Sequence, residues 1–163
     1  MDLSGSFIEF PKRDWQAPFG TVDINNKKYF WKNARGGENL EIEANVLRKL
    51  NGDFVPKFHF SNENMIIMEF IEGKEFYTYW NSMNHALINH ICKKIVTQLK
   101  YLYDKYFYYH HDLHEKNIMY NLEHDRVWFV DNGSVTFEDL GDHIFEDGMY
   151  ERYKEHSEKI DPK

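Results

Sequence analysis

HHDLHEKNIMYNLEHDRVWFVDNG, residues 110–133, is the stretch whose polar residues folding alone does not explain. Asp112 is followed five positions on by Asn117, and a hydrophobic, strand-like run then leads to a second acid, Asp131, beside Gly133. Residues 118–120 and 126–130 alternate around a turn at 123–125, so they read as a β-hairpin with Asn117 and Asp131 at its two chain ends. A hairpin brings its ends together. Two oxygen-bearing side chains distant in sequence can therefore share one cation. Mg²⁺ takes such ligands, usually one or two carboxylates completed by phosphate oxygens and water. Asp112, in the loop ahead of them, suits a group that accepts or orients the proton of an attacking hydroxyl. Phosphoryl transfer needs little covalent help and much positioning and charge neutralisation, which is what this trio offers.

Upstream of this stretch runs a long amphipathic segment. Leu87, Ile91, Ile95, Leu99 and Leu102 share one face, with Asn89, Lys93, Lys100 and Asp104 elsewhere, so the segment predicts the strongest helix of the chain and delivers the backbone into His110. The first third reads as strands. Residues 6–10 are a short apolar run ended by Pro11, and residues 21–24 and 28–32 flank Asn25-Asn26, a pair that tolerates the positive φ of a tight turn. After Gly36-Gly37, helical spacing of Leu40, Ala44, Leu47 and Leu50 predicts one helix from Glu38, ending at Asn51-Gly52 as a C-cap. Residues 56–60 and 65–70 make a second strand pair. A helix is expected in the acidic tail over residues 143–160.

Composition bounds the rest. At 163 residues the chain fits one compact unit or two small lobes. Its net charge of -7 argues against an extended phosphate-tracking surface, so no direct contact with nucleic acid is expected. Cys92 stands alone and excludes an intrachain disulfide, which fits a cytoplasmic, reducing setting, in a host cytosol if the source is a virus or pathogen. No run approaches the roughly eighteen apolar residues of a spanning helix, and no membrane partner is expected. Cys92, beside Ile91, reads as filler rather than nucleophile. The histidines show no H-E-x-x-H spacing.

Residues 110–133 resemble the catalytic segment of the protein-kinase fold family, in which H-R-D-L-x-x-x-N supplies the base and one metal ligand and D-F-G the other. The order strand, strand, strand, helix, strand, strand is that of the family's amino-terminal lobe. The resemblance implies an α+β, two-lobed fold: residues 1–70 form a five-stranded sheet with one helix, and residues 71–163 form a truncated, mainly helical lobe. It also implies ATP and Mg²⁺ as cofactors. Asp112 is then the base, with Asn117 and Asp131 on the metal. Lys32, ending YFWK where the family has V-A-I-K, holds the phosphates, and Glu43 positions it; Lys27 and Lys28 compete for the first role and Glu41 for the second. Gly20-Thr21-Val22 matches the end of the glycine motif, placing Val22 over adenine behind a phosphate-covering loop of residues 14–19. Met68-Glu69-Phe70-Ile71 is similar to the hinge, where the Glu69 carbonyl and Ile71 amide bind adenine.

Departures are specific too. G-x-G-x-x-G is missing, His111 replaces the Arg of H-R-D, His114 stands where Ser/Thr kinases carry Lys, and Asn132 removes the apolar anchor of D-F-G. No A-P-E follows. This pattern is similar to RIO kinases and to the small kinase of the KEOPS complex. It implies a minimal Ser/Thr protein kinase acting on a protein substrate. D-L-H-x-x-N also resembles aminoglycoside phosphotransferases, which keeps a small-molecule acceptor open, and the missing glycine loop keeps open a pseudokinase or interaction module.

Overall fold

The computed structural model describes residues 6–14, 16–34, 40–141, 144–146 and 148–159. The chain divides into two compact units, Met1–Glu72 and Gly73–Lys163. The first begins with strands β1 (Ser6–Glu9), β2 (Phe19–Ile24) and β3 (Lys27–Asn33). Asn25 and Asn26 both take positive φ, 51° and 63°, as a two-residue turn with right-handed strand twist requires. That turn sets Ile24 opposite Lys27, and the pairing runs on to Phe19 opposite Lys32.

Helix α1 (Glu41–Leu50) follows, with Glu41 and Glu43 in its first turn and Arg48 and Lys49 in its last, each sign complementing the helix dipole. Asn51 closes it in the left-handed region, its N–H donating to the Leu47 carbonyl at 2.9 Å, as the C-cap reading expects. Gly36, Gly37 and Glu38, where the helix was expected to begin, lie outside the described residues. Strands β4 (Phe58–Ser61) and β5 (Met65–Glu69) complete an antiparallel sheet of order β1-β2-β3-β5-β4. Paired residues of adjacent strands share a face. Val22, Ile24, Trp31 and Ile67 accordingly form one buried cluster, with Tyr29, Phe60 and Met65 packed against it.

The second unit opens with β6 (Lys74–Glu75) and the short helix α2 (Phe76–Trp80). Helix α3 (His85–Tyr106) is the long amphipathic helix; Asn84 caps it by accepting from the Leu87 N–H at 3.1 Å, and Phe107 ends it in the left-handed region. Its buried stripe is Ile88, Ile91, Cys92, Ile95, Leu99, Leu102 and Tyr103. Ile88 replaces the expected Leu87 in that stripe, because Leu87 sits in the capped first turn and is half-buried. Each Ile or Leu so buried favours folding by about 1.5–3 kcal/mol over leaving it exposed. Burial also pushes the Cys92 thiol up to about 12, which keeps it an inert packing group.

Strand β7 (Tyr108–His110) leads from α3 into the polar stretch. Strands β8 (Ile118–Asn121) and β9 (Arg126–Phe129) form the expected hairpin, joined by β6 along the β8 edge. A further strand, β10 (Val135–Phe137), returns to pair with β7, a ladder that sequence reading did not expect. The tail helix α4 (Gly148–Ser157) is shorter than the expected 143–160, both of whose ends lie outside the described residues. Its end is tied to α3, where Asn89 Nδ2 donates to the carbonyls of His156 and Lys159 at 2.6 and 2.7 Å. Among the described residues no helix is long and apolar enough to cross a membrane.

Candidate active site

In the second unit the polar stretch closes on itself through backbone and side chain alike. The Val130 N–H donates to the Asn117 carbonyl at 2.9 Å, extending the β8–β9 ladder by one bond and fixing Asn117 beside the residue that precedes Asp131. Asn117 is buried, and its Nδ2 donates to the Asp112 carbonyl at 2.7 Å. A carbonyl can only accept, so this bond settles the amide's orientation. The Oδ1 of Asn117 is thereby the atom suited to a cation. Asp131 is exposed and takes a left-handed backbone with φ 56° and ψ 60°, a conformation that Asp and Asn tolerate better than most residues.

His110 holds the same loop from inside. Its Nδ1 accepts from the Asp112 N–H at 3.1 Å, so the proton of the neutral ring is on Nε2, which donates to the Val130 carbonyl at 2.9 Å. The imidazole thus links Val130, which precedes Asp131, to Asp112 itself. Burial lowers its pKa below the usual histidine value, which favours this uncharged, structural ring. His114 accepts from the Lys116 N–H at 3.2 Å through Nδ1, while its Nε2 stands 3.2 Å from Asn117 Nδ2 and 3.7 Å from an Asp112 carboxylate oxygen. His111, in the place of the family's arginine, contacts Thr136 Oγ1 at 2.7 Å.

Asn132 was expected only as the loss of an apolar anchor. It is fully buried instead, accepting from the Tyr108 hydroxyl at 2.6 Å and donating to the Phe129 carbonyl at 3.0 Å. A polar anchor within this unit replaces the apolar one. Its signal in the sequence was Tyr108, a phenol at the start of the strand that feeds the loop.

In the first unit Lys32 forms an ion pair with Glu43, whose side chain is only 3% exposed. A carboxylate so buried needs a cation close by. Lys32 and Glu43, rather than Lys27 or Lys28 with Glu41, make this pair; Glu41 pairs with Arg48 on the exposed side of α1. Strand register corrects the placement of Val22. Lys32 and Phe30 share a face, and the β2 residues opposite them are Phe19 and Thr21, so Val22 lies on the other face, in the cluster around Trp31. Thr21, opposite Phe30, is the β2 residue on the Lys32 face that sequence reasoning missed. Counting back from the Asn25-Asn26 turn would have found it.

Gly20 is explained by packing. A Cβ there would come within 1.8 Å of the Ile8 carbonyl oxygen across the β1–β2 pair. Residues 10–18 connect those strands; the ladders reach them through Phe10 N–H to the Phe19 carbonyl and Asn33 N–H to the Pro18 carbonyl, both at 2.9 Å. Glu69 ends β5 and turns its carboxylate back, accepting from the Lys57 N–H at 3.1 Å, while the Ile71 side chain is buried.

A family model for the RIO domain matches residues 24–139, about seven-tenths of the chain, and includes the whole polar stretch 110–133. The chain belongs to the RIO domain family. A comparison with curated proteins found no match. The RIO domain is an atypical protein-kinase-like phosphotransferase family that generally uses ATP and Mg²⁺, and the α+β architecture with a five-stranded antiparallel sheet agrees with it. Within this RIO domain the two sets of residues are Lys32 with Glu43 in the first unit and Asp112, Asn117 and Asp131 in the second.

Proposed function

We propose that this RIO domain transfers the γ-phosphoryl group of Mg²⁺-bound ATP to a hydroxyl, with a protein serine or threonine as acceptor. The observation that carries this reading is the closure of the β8–β9 hairpin, where the Val130-to-Asn117 backbone bond and the Asn117-to-Asp112 side-chain bond gather three oxygen-bearing side chains in one loop. The donor set fits a hard cation: an amide oxygen whose nitrogen is already committed, and an exposed carboxylate. When bound, Mg²⁺ with ATP supplies the phosphoryl donor and neutralises its charge. Asn117 Oδ1 and the Asp131 carboxylate would hold the ion. Asp112, whose carboxylate is 63% exposed, accepts or orients the acceptor's proton. Lys32, aimed by Glu43, meets phosphate oxygens with its ammonium.

A protein acceptor is favoured by what lies between the sheet and the catalytic loop. Residues 73–109 hold only β6, α2, α3 and the start of β7, whereas small-molecule kinases of the aminoglycoside type insert substrate-binding helices there. Incubation with γ-labelled ATP and Mg²⁺ tests the reading. Label should appear on serine or threonine of the protein itself or of an added protein acceptor, and chelation of the metal should abolish it. Label confined to a small hydroxylated acceptor would replace the protein-kinase assignment. No transfer to either, nor to water, would leave an interaction module.

A further inference from the structure

Helix α4 lies beyond the catalytic stretch in sequence, yet its side chains end inside the loop that carries Asp112. The Tyr150 hydroxyl accepts from the His110 N–H at 2.9 Å and donates to the His110 carbonyl at 3.1 Å. One phenol thus offers a backbone residue the paired donor and acceptor that a neighbouring strand would otherwise supply. Three residues along α4, the Tyr153 hydroxyl donates to the Leu113 carbonyl at 2.6 Å. Between them Arg152 reaches Glu115 at 2.7 Å. The loop is therefore gripped on both sides of Asp112 from a single turn of helix.

Packing alone does not call for these hydroxyls. Both rings are buried, Tyr150 stacked nearly parallel on Tyr109 at 4.6 Å and Tyr153 lying 6.2 Å from Phe76, positions that phenylalanine would fill as well. Burial also drives the Tyr153 phenol far above its ordinary pKa, so it remains a donor. The Asp112 carboxylate, by contrast, is mostly exposed. Its aim depends on the backbone that carries it, and an error of about 1 Å in such a group costs on the order of a hundredfold in rate.

We propose that Tyr150 and Tyr153 are positioning residues that hold the Asp112 loop in its working conformation from α4, a role that rests on reading Asp112 as the base. Tyr150→Phe and Tyr153→Phe in the full chain keep the rings and remove only the hydroxyls. Labelled phosphate transfer or release from Mg²⁺-ATP should show kcat lowered by about tenfold or more, with KM for ATP within about twofold of wild type. Amide hydrogen exchange should accelerate over residues 110–113 and not along α3. An unchanged kcat with a lowered melting temperature would assign the hydroxyls to folding alone and overturn the proposal. Should the wild type transfer no phosphate, the phosphotransferase reading fails by itself. Exchange over residues 110–113 still decides the clamp: a rate equal to wild type in both variants overturns it.

Discussion

The β1–β2 hairpin of the first unit and the β8–β9 hairpin of the second both carry residues that stand out in the sequence, and physics accounts for them differently. Gly20 belongs to the first. It looked like the remnant of a phosphate-binding glycine motif, but the Ile8 carbonyl occupies the space a side chain would need, so strand packing explains it completely. Asn117 and Asp131 belong to the second. The left-handed backbone of Asp131 would be served as well by asparagine, and Asn117 ties the loop with its amide nitrogen alone, yet the chain places a negative charge at the first position and turns an amide oxygen away from that bond at the second. A feature that the fold itself requires says little about function. A charge that the fold does not call for, beside a second and a third oxygen-bearing side chain, says a great deal.

The widest separation between the two hairpins should come from Asp131→Asn. Asparagine keeps the left-handed backbone and removes the charge, so the melting temperature should stay close to wild type while phosphate transfer falls by about 10²–10³-fold. A comparable loss of stability instead would make Asp131 a structural residue like Gly20. The reverse pattern is expected of Gly20→Val, where the added side chain meets the β1 backbone. Denaturant unfolding should show a loss of about 3 kcal/mol, with β1 exchanging its amides faster.

Element type was legible wherever the signal was local. The Asn25-Asn26 turn, the Asn51 cap and the alternation of β8 and β9 all follow from neighbours a few residues apart, and so does the order of strands around α1. What escaped depends on distant partners. The β7–β10 ladder joins strands of three residues each across residues 111–134, too short to carry a period. Tyr150 and Tyr153 meet the loop forty positions upstream, and nothing in their own segment announces it. Val22 went to the wrong face because the glycine motif was matched by residue type instead of by counting from the turn; a shift of one residue in a strand exchanges its faces.

A smaller effect separates the buried polar frame of the second hairpin from its exposed carboxylates. His110 has its pKa lowered by burial, so the folded protein resists the proton that the unfolded chain accepts below about pH 6.5. Its contribution is whole above that pH and is lost as pH falls through the window beneath it, at a slope of at most about 1.4 kcal/mol per pH unit. His59 and His156, lowered for the same leading reason, act in the same direction. Unfolding measured between pH 7 and 5 should show this fall, shallower in His110→Gln. A slope unchanged in that variant would mean that other groups set the pH dependence.

Gly133 should show least. Among the described residues, chain neighbours aside, nothing lies within 4 Å of where its Cβ would stand, so Gly133→Ala should alter unfolding by no more than about 0.5 kcal/mol. A large loss there would erase the contrast with Gly20.

On the function proposed above, Asp112, held by His110 and Asn117, serves chemistry rather than folding. Transfer of labelled phosphate from Mg²⁺-ATP, measured side by side in wild type and Asp112→Ala at equal thermal stability, tests it most directly. Transfer should fall by about 10²–10⁴-fold in the variant. Equal transfer in the two proteins would contradict it.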